Sequence, residues 1–252
     1  MHRYALEVMY DGTKFHGSQL QGTIPTVQLE INKTLSMLLR APTLSFGASR
    51  TDEGVHARSN YYHFDSQHKL NPKFLYQCNA ILPQGISVKR VLIAAKPDFN
   101  ARFDALRRRY RYRIYFKKDP FLSERALYYP FSIDKAQLHE AASVFPQYTQ
   151  FESFAKRNPQ VNTFECTIHQ SRWEDMGAEL NYIVEANRFL RGMVRGLVGT
   201  QLKLAREKKG TSELRKIIEA RDCTLAYFNV EGYGLYLEEI TYPDGFLVDF
   251  LD

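Results

Sequence analysis

The stretch RRRYRYRIYF at residues 107–116 leaves the chain little choice. Arg109, Arg111 and Arg113 alternate with Tyr110, Tyr112, Ile114 and Phe116. On a helix, these arginines would scatter around the axis. On a strand, successive side chains point to opposite faces, so the same residues separate into one charged and one apolar face. A long strand is expected here. A strand needs partners, so the chain must build a sheet.

The rest of the sequence supplies those partners. Residues 3–10 alternate loosely and predict a strand. The loop DGTKFHGSQLQGTIP follows, rich in turn formers and long enough to be functional. Thr26 is placed as an N-cap, and Val27, Ile31, Leu35 and Leu38 share one helical face that ends before Pro42. Two further strands are expected at 59–65 and 86–93, around a helix at 71–80. After the 107–116 strand come a helix at 134–144 and paired strands at 166–174 and 179–186, turning at Gly177. Phe189, Leu190, Met193, Val194, Leu197, Val198 and Leu202 then form the apolar stripe of a helix over 189–205. A short helix at 211–220 and a last strand at 234–242 complete the pattern. The expected organisation is two α+β halves, 1–104 and 105–252. No Gly-, Ser- or Pro-rich linker separates them, which a shared continuous sheet would explain. No short fixed repeat occurs, so a solenoid is excluded.

Composition narrows the function classes. Hydrophobic residues make up 44% of the 252, enough for packed cores and too many for disorder. No run approaches the roughly 18 apolar residues that span a bilayer. The N-terminus leads into a strand pattern without an apolar signal segment, so a cytoplasmic protein is expected. Cys78, Cys166 and Cys223 are far apart and form no C-x-x-C pair, so neither a disulfide framework nor structural zinc is expected. The net charge of +6 concentrates in 107–113 and 188–195, among 16 Tyr and 17 Phe. Basic clusters interleaved with aromatics suit nucleic acid, although the same aromatics equally fill a core.

One segment stands out chemically: GASRTDEGVHAR at 47–58. Gly47 and Gly54 are expected to supply backbone angles that other residues resist. The loop between them can reach toward a ligand. Asp52 within it reads as a ligand group, an Asx-turn or a helix cap. It is neither the G-x-S-x-G elbow of serine hydrolases nor a phosphate loop. His56 reads as a base or as a packing histidine. Further along, Arg188, Arg191 and Arg195 are spaced to share a stripe on the expected 189–205 helix, either as a solvated face or as a rigid mount for cations. Tyr110 lies at the polar start of its strand, where a ring can stack on an unpaired base.

Together these residues resemble the tRNA pseudouridine synthase A (TruA) family. The matching segments are YDGTKFHGSQLQGTIPTVQLE (10–30), GASRTDEGVHAR (47–58), FNARFDALRRRYRYRI (99–114), FESF (151–154), NRFLRGMVRGLVGTQL (187–202) and GLYLEEITYP (234–243). The resemblance implies isomerisation of uridine to pseudouridine at positions 38–40 of the tRNA anticodon arm. It implies two RRM-like (ferredoxin-like) halves sharing a continuous, mostly antiparallel sheet with a central RNA-binding cleft. It also implies a homodimer, no metal and no organic cofactor. Asp52 matches the family's catalytic aspartate and Tyr110 its base-stacking tyrosine. Arg195 matches the arginine that pairs with the aspartate, and Leu235 an apolar residue of the base pocket. Arg50 and His56 are expected at the substrate, and Arg58, Arg188 and Arg191 on the RNA backbone. The sequence departs from the family pattern at Ser18 (usually Trp), Ser49 (usually Gly) and Glu53 (often Ala), and lacks a proline-containing run before Gly234. The first loop and the catalytic loop are both expected to face the RNA, so these departures bear on substrate choice. A paralogue that binds RNA without catalysis, or modifies another uridine, is the alternative expectation.

Overall fold

The computed structural model describes residues 1–157 and 162–250. They form a mixed α+β architecture with mostly antiparallel strand pairing and, among the described residues, five α-helices. The chain divides into two compact units: Met1–Leu106 with Leu237–Asp252, and Arg107–Tyr236.

The first unit runs β1 (His2–Tyr10), α1 (Val27–Leu39), β2 (Phe46–Gly47), β3 (His56–Ser66), α2 (Phe74–Ile81) and β4 (Ile86–Ala94). Strand β1 lies between β3 and β4, antiparallel to both, and β2 pairs with β3. Residues Tyr4 to Val8 are all buried, because β1 is covered on both faces. On one face Tyr4 stacks on Phe64, which stacks on Phe74 of α2. Helix α1 packs beside α2 and buries Val27, Ile31 and Leu35. Thr26 caps it as expected, its side chain accepting from the Leu29 N–H. The other face of β1 buries Glu7. Burial pushes this carboxyl's pKa up, but hydrogen bonds from Lys89, Arg90 and Ser59 outweigh that and hold it below the usual value.

The second unit runs β5 (Arg107–Tyr115), β6 (Leu127–Tyr128), α3 (Lys135–Val144), β7 (Ile168–Asp175), β8 (Glu179–Ala186), α4 (Met193–Arg206) and α5 (Thr211–Glu219). Strand β8 lies antiparallel between β5 and β7, with Tyr110 opposite Val184 and Tyr112 opposite Tyr182. The period-two pattern works as read: Tyr110, Tyr112 and Ile114 are buried, while Arg109 is exposed. Tyr112 and Tyr182 join Phe145, Phe151 and Phe154 among the fully buried side chains. The chain then forms β9 (Leu235–Thr241) and β10 (Leu247–Asp249), the latter returning to pair with β4 of the first unit.

Three sequence expectations need correction. Helix α4 begins at Met193, not at 189, because Gly192 takes φ 75° and interrupts the helix. Arg188 and Arg191 therefore precede the helix, and of the three arginines Arg195 alone rides on it. Next, the arginines of β5 are not a bare basic surface. Arg107 and Arg109 both pair with Glu185, Arg113 grips Glu179 through two bonds of 2.8 Å, and Arg111 lies over the Tyr236 ring. Finally, Gly47 has no positive φ. A Cβ there would sit 2.9 Å from the Tyr62 ring, so Gly47 is needed for close packing.

Candidate active site

The loop from Ala48 to Val55 joins β2 to β3 and is held by hydrogen bonds at Ala48, Ser49, Thr51 and Val55. Asn60 of β3 presents its side-chain amide to Ser49 as a strand would, its Oδ1 accepting from Ser49 N and its Nδ2 donating to Ser49 O. Thr51 is held at three points. Its N–H donates to Ser18 Oγ at 2.8 Å, its carbonyl accepts from Ser18 N at 3.0 Å, and its hydroxyl lies 2.8 Å from Tyr10 OH. Asp52 follows and opens a tight turn, closed by Val55 N–H on the Asp52 carbonyl. Gly54, third in that turn, has φ 78°, a conformation costly for any residue with a side chain. The β1–β3 register also shifts between Val8 and Tyr10, a bulge that places extra β3 backbone beside the loop.

The outcome is a half-buried Asp52 on a loop fixed from below. Arg50 and Arg58 are exposed on either side of it in sequence. His56 is buried, its Nδ1 3.2 Å from Gly12 N and 3.3 Å from Asp11 Oδ1, where it ties the foot of the loop to the first loop. Glu53 pairs with His16 at the surface, Nδ1 to Oε1 3.2 Å.

Within the second unit, Tyr110 is 7% exposed and meets Phe189 edge-on, ring centroids 5.1 Å apart. Arg195 is half-buried, and its Nε donates to the Val230 carbonyl at 2.8 Å, fixing the guanidinium's orientation. Burial drives the Tyr112 phenol far above its ordinary pKa, and the Arg195 charge opposes that rise. The same phenol donates to Glu231 O at 2.7 Å, and Gly234 lies directly against its ring. Leu235, next in sequence, is buried. Arg195, Tyr112 and the 230–235 segment thus converge, whereas Arg188 and Arg191 sit on the connection between β8 and α4.

Ser18, Tyr10 and Asn60 carry the catalytic-loop candidate, yet sequence reasoning did not single them out as site residues. Asn60 had a signal: an amide inside the otherwise aromatic run SNYYHFD. Ser18 was visible only as a departure, and Tyr10 looked like any strand aromatic. Among the described residues, no group of three or more His, Cys, Asp or Glu is placed to hold a metal ion. Burial pushes the Cys78 thiol up to about 12 and the Cys166 thiol up to about 11, so neither is a reactive nucleophile. No helix among the described residues is long and apolar enough to cross a membrane.

Comparison with known proteins gives this arrangement its context. A family model described as tRNA pseudouridine synthase matches residues 149–243. A protein of Parabacteroides distasonis named tRNA pseudouridine synthase A is 38% identical over 246 residues, 97% of each chain. One of Bacteroides thetaiotaomicron with the same name is also 38% identical, over 97% of this chain and 92% of its own. One of Staphylococcus carnosus, again so named, is 34% identical over 94% and 90%. The likeness covers both units from end to end rather than one domain, and the chain therefore belongs to the tRNA pseudouridine synthase A family.

Proposed function

We propose that the protein isomerises uridine to pseudouridine at positions 38, 39 and 40 of the tRNA anticodon arm, with Asp52 as the catalytic group. The reaction breaks the C1′–N1 bond, turns the base and joins C1′ to C5. C5 loses a proton and N1 gains one, with no net transfer of electrons. A paired, stacked base cannot turn, so the uridine must leave the stack. An ionised carboxylate then either attacks C1′ or removes the C2′ proton to give a glycal.

The observation that carries this reading is the fixing of Thr51 at its N–H, carbonyl and hydroxyl. It presents the following carboxylate, half-buried, from a backbone with little freedom, and precise placement is where much catalytic power originates. Tyr110 is assigned to the base, with a stack worth about 1–3 kcal/mol. Leu235 is assigned to the base pocket and Arg195 to pairing with the Asp52 carboxylate. Arg50 is assigned to the substrate. The buried position of His56 favours a role in setting the loop. Arg58, Arg188 and Arg191 are assigned to RNA phosphates. The first unit's βαββαβ order, with strands arranged β4-β1-β3-β2, supports an RRM-like reading of that half. Family membership favours a homodimer working in the cytoplasm.

The test is an unmodified tRNA transcript labelled with tritium at uridine C5. Incubation with the protein is expected to release tritium and leave pseudouridine at 38–40 where uridines stand there. Tight tRNA binding with no release, or product at other positions, would contradict the proposal.

A further inference from the structure

Position 18, where the family segment usually carries tryptophan, is a serine of 2% exposure. Its surroundings suggest more than a tolerated substitution. The Oγ accepts from Thr51 N at 2.8 Å, and Ser18 N donates back to Thr51 O at 3.0 Å. On the side away from the loop, Ser18 O accepts from Gln28 N and Gly17 O from Val27 N, which pins this stretch to the first turn of α1. Gly17 has φ 86°, and a Cβ there would stand 3.0 Å from Thr51 O and 3.6 Å from the carbonyl carbon of Asp52. The first loop thus lies flush against the Asp52 backbone.

We propose that Ser18 is a positioning residue for Asp52, clasping Thr51 so that rigid α1 sets where the carboxylate stands. The inference rests on Asp52 being the catalytic group. Tyr10 closes the clasp from the other side, its hydroxyl sharing a hydrogen bond with Thr51 Oγ1 and accepting from Asn60 Nδ2. Burial raises the Tyr10 phenol above its ordinary pKa, and that of the adjacent Tyr62 well above it, so the clasp is made of neutral groups. The hydroxyl of Ser18 is small enough to let the loops touch, and it supplies the acceptor that the buried Thr51 N–H requires. Tryptophan offers no acceptor, so a chain with tryptophan here must satisfy that N–H in another way.

The experiment compares single-turnover rates and tRNA dissociation constants for the wild type, Ser18→Ala, Tyr10→Phe and Asp52→Asn. Ser18→Ala is expected to lower the rate about 10- to 100-fold while the dissociation constant moves less than about threefold. Tyr10→Phe, which keeps the ring, is expected to lose about three- to tenfold in rate with the same split. Both deficits should be independent of pH. A wild-type rate in Ser18→Ala overturns the proposal, as does parallel loss of rate and affinity. If Ser18→Ala does not fold, Tyr10→Phe decides alone, and an unimpaired rate there sinks the clasp. Full activity in Asp52→Asn would remove the underlying assignment instead, which separates the two failures.

Discussion

Around Asp52, the groups that hold the backbone are neutral and buried: the hydroxyls of Ser18 and Tyr10 and the amide of Asn60. Along the charged face of β5, the holding groups are ions. Arg107 and Arg109 stand 52% and 43% exposed, and share one carboxylate from β8. The difference follows from what each region must do. Buried neutral hydrogen bonds are insensitive to salt and to moderate pH, and they fix one geometry because leaving any group unpaired is costly. Here only the cations stand in solvent, Glu185 being buried, and such part-exposed ion pairs are weakened by salt. The first kind of region suits placement of a group, and the second suits contact with a polyanion.

This contrast can be broken at several points. The largest effect is expected from Tyr110→Ala, which empties a buried site against Phe189 and should cost about 3–5 kcal/mol by thermal or denaturant unfolding, alongside a severe loss of turnover. Asn60→Ala comes next. It strands Ser49 N–H and should cost about 1–3 kcal/mol, with the same value at low and high salt. Glu185→Gln should cost about 1 kcal/mol or less, and the deficit should shrink as salt is added. A salt-dependent Asn60 effect, or a salt-independent Glu185 effect, would undo the comparison.

Acid sharpens it further. Burial raises the pKa of Glu185, but hydrogen bonds from Arg109 and Arg107 prevail and leave it below the ordinary 4.5, as happens at Glu7. Carboxylates depressed in the folded state stabilise it above about pH 4.5, and that contribution is lost as pH falls below this value. Stability measured against pH should therefore decline below about 4.5, and more gently in Glu185→Gln. The smallest effect is expected from Arg191→Gln. It should leave turnover at saturating tRNA unchanged and reduce the slope of log affinity against log salt by about 0.7–0.9, the share of one phosphate.

Much of this molecule was legible in its sequence because local patterning and tertiary demand agree. The alternation at 107–116, the Thr26 cap and the apolar spacing of α1 each point to the element that forms. Legibility failed where a tertiary partner decides. The apolar stripe ran back through Phe189 and Leu190, but the helix begins only after Gly192, and those residues lie on the connection instead. The β5 arginines read as a basic surface because Glu185 and Glu179 lie some 70 residues away in sequence. Gly47 looked like a conformational glycine, but the Tyr62 ring, fifteen positions on, is what requires it. At the candidate site, the motif singles out Asp52 but not Ser18, Tyr10 or Asn60. Their role lies in hydrogen bonds between loops that meet only in the fold. Nor does the sequence carry a signal for the return of β10 to the first unit.

The central claim is that the Asp52 carboxylate performs the chemistry while the backbone of its loop presents it. The most direct measurement is tritium release from C5-labelled tRNA by Asp52→Asn, run beside its tRNA affinity. Release should fall at least about a thousandfold, with affinity within about threefold of the wild type. An asparagine variant that still releases tritium at a rate near the wild type's would contradict the account.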